Sequence, residues 1–173
     1  GGDCRVRQCD VTCADQVQAT VAQCLESYGR IDILHNNVGI LELGGPVEAS
    51  EESWDRVNSV NLKSMFLTCK YTLPHMEKQG AGAIVNLSSI AGIRHLGVSY
   101  VSYSATKAAI IQFTQSIALQ YAAKNIRANS ILPGLMNTPM IMEPLKDAYG
   151  EGGVENMVAT RDAQCPMNKM GDA

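Results

Sequence analysis

Tyr103 and Lys107 stand four residues apart in the run Ser-Tyr-Val-Ser-Tyr-Ser-Ala-Thr-Lys from Ser99 to Lys107. A phenol is a poor base near neutrality because its unperturbed pKa is about 10. A lysine one helical turn away lies on the same face, and its positive charge favours the phenolate. Such a pair can pass a proton to or from the oxygen of an alcohol or ketone. With six tyrosines in the chain, the spacing alone is easily met by chance. Its meaning depends on the elements that hold it.

The chain has 173 residues, enough for one domain with a substantial core. Its hydrophobic fraction of 46% and charged fraction of 18% are those of an ordinary globular protein. A formal charge of −3 and the lack of any Lys/Arg cluster give no footprint for nucleic acid or an anionic membrane. No apolar run reaches the length of a membrane span, and no signal peptide opens the chain. Cys4, Cys9, Cys13 and Cys24 crowd the start without tight Cys-x-x-Cys pairs, and His35, His75 and His95 share no spacing. No metal site is expected, and the cysteines suit reduced thiols in the cytoplasm.

β-rich runs at Arg5–Asp10, Ile31–Asn36, Ala83–Ser88 and Ile126–Leu132 alternate with helical patterns. Val17, Val21, Cys24 and Leu25 form one apolar stripe that Gly29 ends. Ser50-Glu51-Glu52-Ser53 reads as an N-cap with acidic first-turn residues. The following helix extends toward Lys78, with Pro74 expected to break or kink it. A third helix is expected from about Tyr103 to Ala123, with Ala108, Ile111, Ile117 and Leu119 as its apolar positions. This alternation predicts an α/β fold with a doubly wound parallel sheet in three αβα layers. Residues 1–173 form a single Rossmann-like domain in this reading, with 1–138 as the core and 139–173 as a mobile substrate loop with short helices. Met136, Met140, Met142 and Met157 suit either an adaptable pocket wall or core packing.

Ligands of doubly wound sheets bind beyond the carboxyl ends of the strands. There stand Asn36-Asn37-Val38-Gly39, Asn86-Leu87-Ser88-Ser89 and Asn129-Ser130-Ile131-Leu132-Pro133-Gly134, with Asn61 in Val60-Asn61-Leu62-Lys63. Together with Tyr103 and Lys107, these motifs resemble, in kind and order, those of the single-domain short-chain dehydrogenase/reductase family. The resemblance covers roughly residues 5–140, with Val38 where the family has alanine. It implies an oxidoreductase that interconverts a secondary alcohol and a ketone with NAD or NADP. By resemblance Tyr103 is the acid/base, Lys107 lowers its pKa and holds the nicotinamide ribose, and Ser89 bonds the substrate oxygen. Asn61 would hold a water that continues the proton path. Ser89 precedes Tyr103 by 14 positions, one more than usual in the family, so Ser88 and Ser89 are both open to that role.

The resemblance further implies that Asp10 and Val11 contact adenine and that Asn37 and Gly39 line the adenosine side. Pro133, Gly134, Met136 and Thr138 would hold the nicotinamide amide and phosphates. A homodimer or homotetramer through the two long helices is implied as well. The family's Gly-rich turn and its cofactor-selecting residue have no counterpart here, so the choice between NAD and NADP is unreadable. The chain is expected to be an internal fragment, truncated at both ends and inactive alone. Two other readings stay open: a sugar-nucleotide epimerase or dehydratase of the extended branch, and a non-catalytic NAD(P)-binding relative.

Overall fold

The computed structural model describes residues 2–172. Three parallel strands form the central sheet in the order β1 (Ile33–Asn36), β2 (Gly82–Leu87) and β3 (Ile126–Ile131). Parallel neighbours need long crossovers, and helices supply them here. Between β1 and β2 lie α2 (Glu51–Asn58), a π-helical turn (Ser59–Lys63) and α3 (Ser64–Gln79); α4 (Val101–Tyr121) links β2 to β3. Register places Asn36 opposite Asn86, and Asn86 opposite Ser130.

Helix ends follow their local chemistry. α1 (Ala14–Tyr28) stops at Gly29, whose φ of 76° is costly for any residue with a Cβ. α2 starts where the Ser50 hydroxyl accepts from the Ser53 amide at 3.1 Å. Pro74 does not break α3. It lies on the exposed face, where a carbonyl that lacks its helical donor is within reach of solvent. The irregularity falls instead at the π-helical turn around Asn61.

Three helices pack on one face of the sheet. Val21, Cys24 and Leu25 of α1, Cys69, Leu73 and Met76 of α3, and Phe113 and Ile117 of α4 close over Leu34, Ile84, Ile126 and Ala128. In α4 the buried positions are Ser102, Thr106, Lys107, Ile110, Thr114 and Ile117, whereas Ala108 and Leu119 face solvent. On the opposite sheet face, Ile33 is 67% exposed and Ile131 50%. The expected strand at Arg5–Asp10 does not form, because a strand needs a partner and no described strand pairs with these residues. Arg5 and Arg7 instead hydrogen-bond Ser27 and Gln23 of α1.

Residues beyond Pro139 build a second apolar cluster. They contain α5 (Pro139–Leu145), a 3-10 turn (146–149) and α6 (Gly153–Ala163). Leu145, Met157 and Met170 are buried there with Leu96, Val98, Tyr100 and Leu135. A short parallel pair, β4 (Met136–Asn137) with β5 (Gly171–Asp172), ties the end of this segment back to the residues after β3. Among the described residues, no helix is long and apolar enough to cross a membrane.

Candidate active site

Loops leaving β1, β2 and β3 converge with the first two turns of α4. The Ser88 amide donates to the Ile131 carbonyl, and the Ile90 amide to the Pro133 carbonyl, so the loops after β2 and β3 are stitched together. Gly44 bridges Tyr100: its amide donates to Ser99, and its carbonyl accepts from Val101. These bonds set where α4 begins, and hence where Tyr103 and Lys107 point. Gly92 sets the depth. A Cβ built there would lie 2.7 Å from the Ala108 nitrogen and 2.7 Å from the Lys107 carbonyl carbon. Only glycine allows the loop to pass this close to the helix.

A cavity of about 310 Å³ opens at this junction. Ser88, Ser89, Tyr103 and Lys107 line one side, with Asn37, Gly39, Pro133, Gly134, Met136 and Thr138 around them. These ten residues, all discussed from sequence, therefore share one concavity. Asp10 and Val11 do not line it. The Asp10 carboxylate accepts from the Thr12 amide and hydroxyl at 2.9 and 2.7 Å, forming the turn that leads into α1. Those bonds hold its pKa below the ordinary carboxylate value.

The two serines divide their work. Ser88 donates to the Lys107 carbonyl at 2.6 Å and so belongs to the support of α4. The Ser89 hydroxyl accepts from the Ala91 amide at 3.1 Å and interacts with the Tyr103 phenol.

Asn61 is fully buried beneath the site. Its Oδ1 accepts from the Ile40 amide at 2.8 Å; its Nδ2 donates to the Ile40 carbonyl at 2.9 Å and to Thr106 Oγ1 at 3.2 Å. Through these bonds Asn61 clamps the loop after β1 to α4. The π-helical turn supplies the reason: one extra residue in the turn lets a side chain leave the regular helical phase. A Cβ on Gly39 would sit 3.4 Å from Asn61 Oδ1 and 3.5 Å from Lys107 Nζ, so the loop runs directly over both.

The Lys107 ammonium donates to the Leu87 carbonyl at 2.8 Å and lies 5.4 Å from the centroid of the Tyr103 ring. Burial lowers its pKa to about 8. Burial also raises the Tyr103 pKa above 10, while the Ser89 hydroxyl and the Arg161 charge pull it partly back. Desolvation drives both groups toward their neutral forms.

Sequence reasoning missed several wall residues, Tyr100 and Arg161 among them. Tyr100 packs edge-on against Tyr103 with ring centroids 5.7 Å apart, and burial lifts its pKa to about 12. Arg161 of α6 also lines the cavity. A signal existed: Val154, Met157, Val158 and Arg161 follow helical spacing, which puts an arginine on an apolar stripe. Of the four methionines, Met136 and Met140 line the cavity, Met157 is buried in the core and Met142 packs against it.

Residues 1–148 match the family model described as short chain dehydrogenase. The 3-oxoacyl-[acyl-carrier-protein] reductase FabG of Thermotoga maritima is 42% identical over 131 residues, covering 76% of this chain and 53% of that protein. A crystal structure from Burkholderia xenovorans, assigned to the short-chain dehydrogenase/reductases, is 47% identical with a TM-score of 0.90, over 96% of this chain and 62% of the other. NAD+-bound xylitol dehydrogenase is 31% identical with a TM-score of 0.87, over 95% and 66%. The chain thus spans between half and two thirds of the length of these relatives.

Proposed function

The chain belongs to the short-chain dehydrogenase family, and from that premise we propose that it carries the proton-transfer side of an NAD- or NADP-dependent ketone reductase or secondary-alcohol dehydrogenase. The observation that carries the reading is the convergence of Ser89, Tyr103 and Lys107 on one cavity at the carboxyl ends of parallel strands. The residues present suit a nicotinamide dinucleotide. Lys107 has three ammonium donors, and its one described hydrogen bond goes to Leu87, leaving donors for ribose hydroxyls. No Cβ on Gly134 would meet an atom within 4 Å, so that backbone is open to close approach. Asn37, Gly39, Pro133, Met136 and Thr138 complete the cradle; Asp10 and Val11 would meet the adenine outside it. Once bound, the nicotinamide supplies hydride chemistry at carbon.

The chain's own residues handle oxygen. Ser89 and Tyr103 bond the substrate carbonyl, which polarises it and fixes its distance from the phenol. Tyr103 donates its proton as charge develops on that oxygen. A phenol whose pKa burial has raised is protonated near neutrality, which favours the reductive direction. Lys107, with a pKa of about 8, can exchange a proton close to neutral pH and return one to the site. Asn61 acts by position, holding Ile40 and Thr106 so that the floor under Lys107 stays fixed.

Further parts of the reading concern assembly and place. A groove between the two long helices, lined by Leu62, Phe66, Ala109 and Phe113, supports a homodimer or homotetramer. Six free cysteines fit a cytoplasmic setting. The deciding experiment is Tyr103→Phe in the whole protein with nicotinamide cofactor and a panel of ketones. Turnover should fall by at least about a hundredfold with the fold intact. Turnover that survives the change refutes the role of the phenol.

A further inference from the structure

We propose that Arg161 anchors a carboxylate of the substrate, so that the site takes small oxo or hydroxy acids in preference to neutral ketones and alcohols. The inference rests on the reading of this cavity as the reduction site and adds its substrate class. Arg161, on α6, is 4% exposed and is among the residues lining the same cavity as Ser89 and Tyr103. Its Nη1 donates to the Tyr149 hydroxyl at 3.2 Å, and its Nε is buried with no hydrogen-bond partner. Among the described residues, no carboxylate pairs with it.

An arginine keeps its charge in any protein, so burial cannot neutralise it as it can a lysine. A sealed guanidinium without a counter-ion is costly, and natural proteins hold such groups where a charge meets them. The cavity contains two cations, Lys107 and Arg161, and among the described residues neither aspartate nor glutamate lines it. With no carboxylate to meet them among the described residues, these cations would be matched by a negative charge on whatever enters. A planar carboxylate fits the guanidinium fork through two parallel hydrogen bonds. The volume argues the same way: about 310 Å³ must also admit the nicotinamide end of a cofactor, which leaves room for only a few substrate atoms. Leu96, Leu135, Met140 and Ile141 form apolar wall around the site. They suit a short hydrocarbon spacer between the reacting carbonyl, held by Ser89 and Tyr103, and the anionic end.

The test uses the whole protein with oxidised cofactor, so that oxo compounds bind without being consumed. Calorimetry compares 3-oxobutanoate and 4-oxopentanoate with their methyl esters, and a parallel assay follows reduction of the same compounds with reduced cofactor. At least one acid should bind about a hundredfold more tightly than its ester. Arg161→Met should bring acid and ester within about threefold of each other, with Arg161→Lys between. A purely structural arginine would shift stability and leave the acid-to-ester ratio unchanged. Equal binding of acid and ester by the unaltered protein, or no binding of acids, overturns the proposal without relying on any variant. If neutral ketones are reduced in a Tyr103-dependent way with no preference for acids, the anchor fails and the reductase reading stands. If acids bind through Arg161 and nothing is turned over, the anchor stands and the reductase reading fails.

Discussion

The ammonium of Lys107 donates to the backbone carbonyl of Leu87 across 2.8 Å, tying the second turn of α4 to the last residue of β2. One bond thus makes a buried cation part of the scaffold as well as of the site.

That placement has a measurable pH signature. Lys107 has a pKa of about 8 in the folded chain and 10.5 as its ordinary value. Below pH 8 both states carry the proton, and the cost of the buried charge is constant, on the order of 3 kcal/mol. Between pH 8 and 10.5 the unfolded chain holds a proton that the folded chain has released, so this group's destabilisation fades as pH rises. Lys107→Met should therefore be more stable than the unaltered protein at pH 7, by about 2 kcal/mol after the lost Leu87 bond. Urea unfolding at pH 7 and pH 9.5 checks this, and the gap must narrow at the higher pH.

Ser88 and Ser89 should separate stability from rate. Ser88→Ala removes the 2.6 Å bond to the Lys107 carbonyl and should cost about 1 kcal/mol, with kcat changed less than about threefold. Ser89→Ala removes the hydroxyl proposed to bond the reacting oxygen and should lower kcat by about a hundredfold with little change in stability. Paired unfolding and steady-state kinetics distinguish the two. A larger loss of kcat for Ser88→Ala than for Ser89→Ala would reverse the assignment.

Gly92→Ala tests the depth of α4. The added carbon meets backbone atoms at 2.7 Å, which cannot rotate away as a side chain could. The loop or the helix must shift, at a cost on the order of 2 kcal/mol. Because the displaced atoms belong to Lys107 and Ala108, kcat should fall with stability. An unaltered kcat in the Gly92→Ala variant would mean that the close approach does not set the site.

Asn36 and Asn86 should be energetically coupled. Asn36 Nδ2 donates to Asn86 Oδ1 at 2.9 Å, and Asn86 Nδ2 to Thr114 Oγ1 at 2.9 Å, all buried. Replacing either with leucine strands its neighbour's polar atom and should cost about 2–3 kcal/mol. The double replacement should cost about 1 kcal/mol less than the two singles added, which a double-mutant cycle by chemical denaturation measures.

Much of this architecture could be read in the sequence because short-range patterns dictate it. The stripe from Val17 to Leu25, the Ser50 cap and the apolar runs of β1 to β3 each depend on residues close together in the chain. Ser89, Tyr103 and Lys107 share a cavity because strand ends are where a parallel sheet exposes polar groups. What the sequence left out has the opposite character. Pro74 is harmless since it faces solvent, and only the packing of α3 on the sheet decides which of its faces that is. Asn61 clamps Ile40 through a π-helical turn that no hydrophobic period announces. The Tyr103 pKa follows desolvation, a sum over distant elements, and so spacing to Lys107 could not give its sign. Arg161 meets the site only because α6 folds back over it.

The row of side chains from Thr68 through Asn36 and Asn86 to Thr114 carries a further implication. Amides and hydroxyls neither gain nor lose a proton over the working pH range, and Cys69 beside them has a pKa pushed up to about 12. The girder that aligns the strand ends is thus electrically silent. Acid or alkali can recharge Lys107 above it while the footing on which Tyr103 is aimed stays the same.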